Sequence, residues 1–260
     1  MYKSSITSYL QTHSYSRINL KAVLFDMDGV LFDSMKNHAT AWNLAMQQYG
    51  MTLSREEAYM HEGRTGAGTI NIVSQRERGY EASEEEIKQI YQTKSDIFNK
   101  LPKAERMPGA YEVLQKIKSE GLIPMVVTGS GQLSLLDKLN HNFPDIFKQE
   151  LMVTAFDVKY GKPNPEPYLM ALQKANIQAN EAIVIENAPL GVRAGVAAGI
   201  FTIAVNTGPL PDSALLDEGA NLLFHSMPDF NSHWEEVYQA FLKHSSFFQY
   251  QILKKAEDTE

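Results

Sequence analysis

The sequence predicts an α/β fold, a Rossmann-like core with helices on both faces of a parallel sheet, and a helical cap inserted after the first strand. Short, nearly continuous apolar runs alternate with helix-like stretches, as in parallel strands buried on both faces. Several of these runs end in polar or charged residues, as expected where strand ends border a crevice. Residues 36–104 interrupt the alternation with helical patterns and no strand pattern.

The individual elements follow from the hydrophobic pattern. The first strand is predicted at 20–25 and stops at Asp26, and the second is predicted at 122–127, after a helix at 110–120. Further strands are predicted at 151–153, 182–185 and 201–205, with core helices at 133–139, 166–175 and 191–198 and cap helices at 41–49 and 84–98. The expected units are a loose lead-in (1–19), the core (20–35 and 105–228), the cap (36–104) and a C-terminal helix and tail (229–260).

Composition excludes several classes of function. A formal net charge of −7, with no basic cluster longer than Lys254-Lys255, disfavours nucleic-acid binding. The absence of cysteine excludes disulfides and thiolate chemistry, so catalysis would use oxygen and nitrogen groups. No apolar run of about 18 residues predicts a membrane span, and the first residues are too polar for a secretory signal. We therefore expect a cytoplasmic monomer, without a membrane partner, in a reducing compartment.

Two carboxylates follow the first strand. Asp26 and Asp28 are two residues apart, so in extended backbone they face the same side at a spacing of about 6.5 Å. Gly29 then permits a sharp turn. An isolated pair of this kind is better explained as turn chemistry, so the interpretation depends on the other strand ends.

The other strand ends carry further polar groups. Thr128 and Gly129 offer a hydroxyl group and an amide suited to an anion, although Thr-Gly-Ser is also an ordinary helix entry. Lys162 lies in a loop stiffened by three prolines. Glu186 and Asn187 end the strand predicted at 182–185 and offer oxygen ligands for a hard cation.

The order of four motifs resembles the haloacid dehalogenase (HAD) superfamily, in the group similar to β-phosphoglucomutases. These motifs are DMDG (26–29), TGS (128–130), GKPNPEPY (161–168) and ENAPLG (186–191). The segments MHEGRTGA (60–67) and IENAPLGV (185–192) are similar to those of bacterial HAD-type inorganic pyrophosphatases.

The resemblance implies a role for each of these residues. Asp26 would be the nucleophile and Asp28 the acid and base, and both would help to hold Mg²⁺, Asp28 through its main-chain carbonyl. The phosphoryl oxygens would be bound by Thr128, Gly129 and Lys162, and the metal shell would be completed by Glu186 and Asn187.

Asn187 departs from the commoner acidic residue of such enzymes and leaves the predicted metal site short of negative charge. We hypothesise that Glu62 of the cap supplies the missing ligand; the alternative is an exposed glutamate at a helix end. Arg64 is a candidate for a distal phosphate and His38 for the cap hinge, although each has an ordinary structural explanation. Ser34, after Asp33, is predicted to cap a helix.

The predicted function is Mg²⁺-dependent phosphohydrolysis through an aspartyl-phosphate, with pyrophosphate as the first substrate. A β-phosphoglucomutase or a small sugar-phosphate phosphatase is the alternative within the same chemistry. An inactive HAD-fold interaction protein is the alternative without catalysis. A dinucleotide-binding loop is disfavoured, because position 134 is Ser134 rather than the third glycine of that motif.

Overall fold

The computed structural model describes the backbone of residues 2–130 and 135–257, with side chains up to residue 244 within those ranges. The N-terminal and cap elements are α1 (Tyr2–Thr12), β1 (Ala22–Phe25), α2 (Met35–Gln48), α3 (Arg55–Met60), α4 (Gly66–Arg78) and α5 (Glu84–Lys100). The remaining elements are α6 (Ala110–Ser119), β2 (Ile123–Val126), α7 (Leu135–Asn142), α8 (Glu166–Ala175), β3 (Ala182–Glu186), α9 (Pro189–Ala197), β4 (Phe201–Val205), α10 (Ser213–Leu216), β5 (Leu222–Phe224) and α11 (Met227–Glu257).

Within the described part of the chain, the sheet has five parallel strands in the order β2-β1-β3-β4-β5. Side chains alternate along each strand, so Val23 and Phe25 enter one hydrophobic cluster while Ala22 and Leu24 enter the other. Helices α1, α6 and α11 contribute to the first cluster, and α8 and α9 contribute to the second. The predicted α/β class with helices on both faces is confirmed.

Helices α2 to α5 pack around a hydrophobic cluster of their own. Trp42 and Met46 of α2 meet Ile70 and Val73 of α4 and Ile90 of α5 in this cluster. Two linkers pair with each other where this helical unit leaves the sheet: the Asp33 amide donates to the Glu105 carbonyl oxygen at 3.0 Å, and the Met107 amide donates to Leu31 at 2.8 Å. The two paired linkers therefore connect the sheet to these helices side by side.

The N-terminal segment differs from the expected loose lead-in. Residues Tyr2–Thr12 form α1, whose Ile6, Tyr9 and Leu10 are buried in the main hydrophobic cluster. The Tyr9 hydroxyl donates a hydrogen bond of 2.8 Å to the carbonyl oxygen of Gly199. The expectation failed because average polarity hides a narrow apolar stripe at helical spacing.

Two further elements differ from the sequence prediction. Residues 151–153 form no strand: Gln149–Leu151 is a 3₁₀ turn, and Val153 makes a single bridge to Val127. The edge strand β5 was not predicted, because three residues are too few for a periodic signal. The predicted start of a helix at residue 133 lies outside the described residues. Along the described chain, no helix combines the length and apolar character needed to cross a bilayer.

Candidate active site

The polar residues that follow β1, β2 and β3 meet at one edge of the sheet. Phe25 pairs with Val126 on one side and with Ile185 on the other, so the residues after these positions lie side by side. Asp26 and Thr128 are both buried there, although each is polar. Buried polar groups require partners, so their contacts define the chemistry of this edge.

Lys162 is the centre of the contacts at this edge. Its Nζ lies 2.5 Å from Asp26 Oδ1 and 2.6 Å from Glu186 Oε1, and it donates to the Val127 carbonyl oxygen at 3.2 Å. Burial acts to lower the pKa of Lys162, but the Asp26 and Glu186 carboxylates outweigh it and hold the pKa well above its ordinary value. Burial raises the pKa of Asp26, and the Lys162 ammonium opposes that rise. Lys162 is thus a fixed cation against the predicted nucleophile.

Glu186 differs from its predicted place in a metal shell. Its Oε1 accepts hydrogen bonds from Lys162 and from the Tyr168 hydroxyl, the latter at 2.8 Å. Its Oε2 accepts from the amides of Asn187 at 2.9 Å and Ala188 at 3.2 Å, next to the first turn of α9. With both oxygens taken by protein donors, this carboxylate anchors Lys162 and the entry to α9 rather than facing a cation.

Two other oxygens fit the Mg²⁺ that the resemblance implies. Among the described residues, no three histidine, aspartate or glutamate side chains group closely enough to hold a metal alone. Asp26 Oδ2 and Asn187 Oδ1, however, are buried side-chain oxygens without a hydrogen-bond partner. Mg²⁺ prefers such oxygens and keeps several waters, so one carboxylate and one amide oxygen are a suitable protein contribution.

Gly29 is required by the position of Asn187. Its φ is +87°, a left-handed conformation, and a Cβ at this position would lie 2.0 Å from Asn187 Nδ2. Glycine therefore permits the turn after Asp28 and the close approach of the candidate metal ligand.

Asp28 is held by the start of the first cap helix. The Ser34 hydroxyl donates to Asp28 Oδ1 at 2.5 Å, and His38 Nε2 lies 3.4 Å from the same oxygen. Burial acts to raise the pKa of Asp28, but His38 and Ser34 outweigh it and hold the pKa well below its ordinary value. Ser34 occupies the predicted N-cap position of α2, but its side chain bonds to no amide of that helix and contacts Asp28 instead. Asp33 pairs with Lys36 at 3.3 Å.

A buried lysine of the cap continues this chain of contacts. Lys94 Nζ lies 2.9 Å from His38 Nδ1, and burial lowers the pKa of Lys94. Its ammonium group also lies near the rings of Trp42, Tyr91 and Phe98, at 5.4, 5.9 and 5.1 Å from their centroids. Sequence reasoning missed Lys94, because nothing in the sequence relates it to a histidine 56 positions earlier. Ser34 and His38 did carry a signal, since a residue at the start of a helix and the residue four positions later lie on the same side.

The loop after α3 lies over the ends of the strands. A Cβ at Gly63 would lie 3.0 Å from Lys162 Cδ, and the Gly63 carbonyl oxygen lies 3.9 Å from a Cβ built at Gly129. Burial raises the pKa of Glu62, and the charge of Asp28 raises it further, while His38 opposes the rise. Glu62 therefore lies within electrostatic range of Asp28, on the cap side of the crevice.

A small cavity separates this loop from the sheet edge. Its volume is about 80 Å³, and its lining includes Arg64, Thr128, Gly129, Lys159 and Lys162. The described residues that line it include three cationic side chains and no carboxylate. A larger cleft of about 1100 Å³ runs along the second linker and α7 and includes none of the predicted catalytic residues.

The fold and this site define a capped α/β enzyme of the phosphohydrolase class: a small cavity is lined by Lys162, Thr128 and Gly129, and Lys162 in turn contacts the first of the paired aspartates, Asp26. The chain belongs to the haloacid dehalogenase-like hydrolase family, whose model matches residues 23–205. The resemblance noted in the sequence is thereby confirmed at the level of the family.

Three relatives illustrate the range of similarity. The chain is 31% identical to hexitol phosphatase A of Escherichia coli over 80% of its own length and 91% of that protein. It is 30% identical to a phosphorylated carbohydrates phosphatase of Thermotoga maritima, over 77% and 92% of the two chains. A solved structure described as "Putative beta-phosphoglucomutase from Bacteroides vulgatus" is 74% identical, with a TM-score of 0.90 and coverage of 92% and 98%.

Proposed function

We propose that the chain is a Mg²⁺-dependent phosphatase that removes phosphate from small sugar phosphates through an aspartyl-phosphate on Asp26. The observation that carries the proposal is the placement of the Lys162 ammonium 2.5 Å from Asp26, at the sheet edge shared with Thr128. Phosphoryl transfer depends mainly on positioning and on stabilisation of negative charge, which a fixed lysine provides. The named activities of two relatives support sugar phosphates as the first substrate class.

In this mechanism Asp26 attacks phosphorus while Asp28 donates a proton to the departing oxygen. Asp28, now a carboxylate, then takes a proton from water, which attacks the aspartyl-phosphate and releases phosphate and free Asp26. Thr128, the Gly129 amide and Lys162 stabilise the charge on the phosphoryl oxygens. Asp26, Asn187 and the Asp28 main-chain carbonyl would hold Mg²⁺, which would supply further charge neutralisation.

Asp28 suits this double role because its environment is supplied by the cap. Ser34 and His38 hold its carboxylate form, which favours the second step, in which it acts as a base. The first step needs the protonated form, so a shift of these two residues with cap movement changes which form predominates.

Inorganic pyrophosphate is the second candidate, favoured by the size and charge of the cavity. Its volume of about 80 Å³ is well below the roughly 300–1,000 Å³ typical of pockets for larger ligands. Arg64 and Lys159 line the cavity and offer positive charge to a second anionic group. Glu62 on the cap side adds a carboxylate, which is compatible with a highly charged substrate only if a cation lies between them.

The similarity to the Bacteroides vulgatus chain makes a mutase the third candidate. A mutase must release its phosphorylated intermediate, turn it around and bind it again, so it has to hold a whole sugar between cap and core. The small volume of the cavity, with the loop after α3 lying over the strand ends, argues against this. Conversion of β-glucose 1-phosphate to glucose 6-phosphate is the diagnostic reaction.

The decisive experiment measures phosphate release with Mg²⁺ from hexitol phosphates, glucose 6-phosphate, pyrophosphate and nucleotides, together with the mutase assay. The Asp26→Asn variant is the control for each substrate. Preference for a sugar phosphate supports the first proposal, and preference for pyrophosphate by tenfold or more in kcat/KM selects the second. Inertness of the wild-type chain toward the whole panel refutes all three and favours a non-catalytic member of the family.

A further inference from the structure

Tyr168 lies behind the site, in the first turn of α8, and it has no access to the cavity. Its side chain is fully buried, and its hydroxyl donates a hydrogen bond of 2.8 Å to Glu186 Oε1. Its ring centroid lies 5.2 Å from Lys162 Nζ. Prolines at 163, 165 and 167 stiffen the chain between Lys162 and Tyr168, so the two side chains are held in a fixed relation.

The hydrogen bonds around Lys162 form a closed set. An ammonium group has three donors, and the acceptors within reach are Asp26, Glu186 and the Val127 carbonyl oxygen. On the other side, Glu186 Oε1 is shared between Lys162 and Tyr168, while Oε2 is held by two amides. Tyr168 is therefore the single side chain, among the described contacts of Glu186, that competes with Lys162 for the same oxygen.

We propose that Tyr168 is a positioning residue for Lys162 and acts through Glu186. The proposal rests on the proposed phosphatase function. By donating to Oε1, the Tyr168 hydroxyl fixes the plane of the carboxylate and satisfies part of its negative charge. Without that hydroxyl, Glu186 attracts the ammonium more strongly in this buried environment, and Lys162 moves away from Asp26 and from the phosphoryl group.

Positioning of Lys162 by Tyr168 affects stabilisation of the transition state rather than substrate binding. Lys162 stabilises charge that increases as the phosphoryl group is transferred, and Thr128, Gly129 and Arg64 remain available to bind the substrate. Loss of one hydrogen bond to a charged group corresponds to a rate effect of about tenfold. We expect Tyr168→Phe to lower kcat by about tenfold and to change KM by less than about threefold.

The test compares Tyr168→Phe with Tyr9→Phe. Both substitutions remove a buried tyrosine hydroxyl that donates at 2.8 Å, but Tyr9 bonds to Gly199 in the N-terminal region, remote from Lys162 in its contacts. Three measurements are made: kcat and KM on the best substrate, Mg²⁺ binding by calorimetry, and crystal structures of wild type and Tyr168→Phe. We expect a kcat loss in Tyr168→Phe alone, unchanged Mg²⁺ affinity, and a displaced Lys162 ammonium.

The outcomes separate this inference from the proposed function. If the wild type hydrolyses nothing, the proposed function fails, and the crystal structures still decide whether Lys162 moves. If the wild type is active but both variants have equal kcat, or if Lys162 keeps its distances to Asp26 and Glu186, the positioning role is overturned. A weakened Mg²⁺ affinity in Tyr168→Phe also overturns it, because Tyr168 would then act on the metal.

Discussion

The hydroxyl of Ser34 lies 2.5 Å from Asp28 Oδ1 and links the start of the cap to the carboxylate proposed as acid and base. Ser34 is fully buried, and it immediately precedes α2. A rotation of the cap about its linkers would move this hydroxyl together with His38. The position of the cap and the pKa of Asp28 are therefore coupled.

The first prediction concerns Ser34→Ala and pH. Since the pKa of folded Asp28 lies below its unfolded value of about 3.9, its stabilisation is present above about pH 4 and is lost as the pH falls further. Loss of a hydrogen bond to a charged group should lower the free energy of unfolding at pH 7 by about 1.5–3 kcal/mol. Because the substitution raises the folded pKa of Asp28, this difference should be constant near neutral pH and shrink as the pH falls through the folded pKa of the variant. Urea unfolding with chelator present measures it, and a pH-independent difference would contradict the assignment.

The second prediction separates stability from activity at Lys94. Lys94→Met replaces a buried ammonium among aromatic rings by an apolar side chain of similar length. We expect the free energy of unfolding at pH 7 to stay constant or to rise by about 1 kcal/mol, because a buried charge is costly. Because His38 loses its partner, we expect kcat to fall by about tenfold.

The control for this prediction is Lys88→Met, an exposed lysine on the same helix. Lys88→Met should alter neither the free energy of unfolding nor kcat. The pH dependence adds a check: because burial lowers the pKa of Lys94, wild-type stability should rise as the pH increases toward about 10.4, and Lys94→Met should lose that slope. A large destabilisation by Lys94→Met would show that the contact with His38 is structural.

The third prediction concerns the nucleophile. Asp26→Asn should reduce phosphate release by at least about a thousandfold, as expected for loss of a nucleophile. Acid quenching during turnover of labelled substrate should trap phosphate on the wild-type protein and none on the variant. Retention of more than about a tenth of the wild-type rate would refute an aspartyl-phosphate at Asp26.

The fourth prediction concerns the metal and Glu62. If Glu62 serves the Mg²⁺ site, Glu62→Gln should raise the Mg²⁺ concentration for half-maximal activity by about tenfold. The loss of activity in Glu62→Gln should be larger for pyrophosphate than for a sugar phosphate. Glu56, an exposed glutamate of α3, just before the loop that carries Glu62, provides the matched control as Glu56→Gln. Equal Mg²⁺ dependence in both variants would leave Glu62 without a role at the metal.

The fifth prediction concerns the N-terminal helix. Ile6 is fully buried in the main cluster, so Ile6→Ala should lower the free energy of unfolding by about 2–5 kcal/mol. Ile72→Ala, at a position 36% exposed, should cost much less. Equal effects in urea unfolding would mean that α1 does not pack as described.

Local patterns were sufficient for most of the core. The strand Phe201–Val205 and the helix Glu166–Ala175 have the predicted bounds, because a buried strand and an amphipathic helix carry their periodicity within a few residues. The N-terminal helix was missed for a related reason. Its polar residues dominate the average hydropathy of the segment. Its apolar stripe indicates a buried helix only once the core surface that it packs against is known.

By itself, the sequence determined the α/β class, the polar residues at the strand ends and the family, because these depend on short patterns and on the order of motifs. The tertiary structure alone decided that Glu186 anchors Lys162, that Ser34 bonds to Asp28, and that Lys94 reaches His38. Each of these contacts joins different elements, or depends on how one side chain turns among several acceptors. Burial and competition between hydrogen-bond partners determine such contacts in three dimensions. The spacing of residues along the chain does not predict the outcome of that competition.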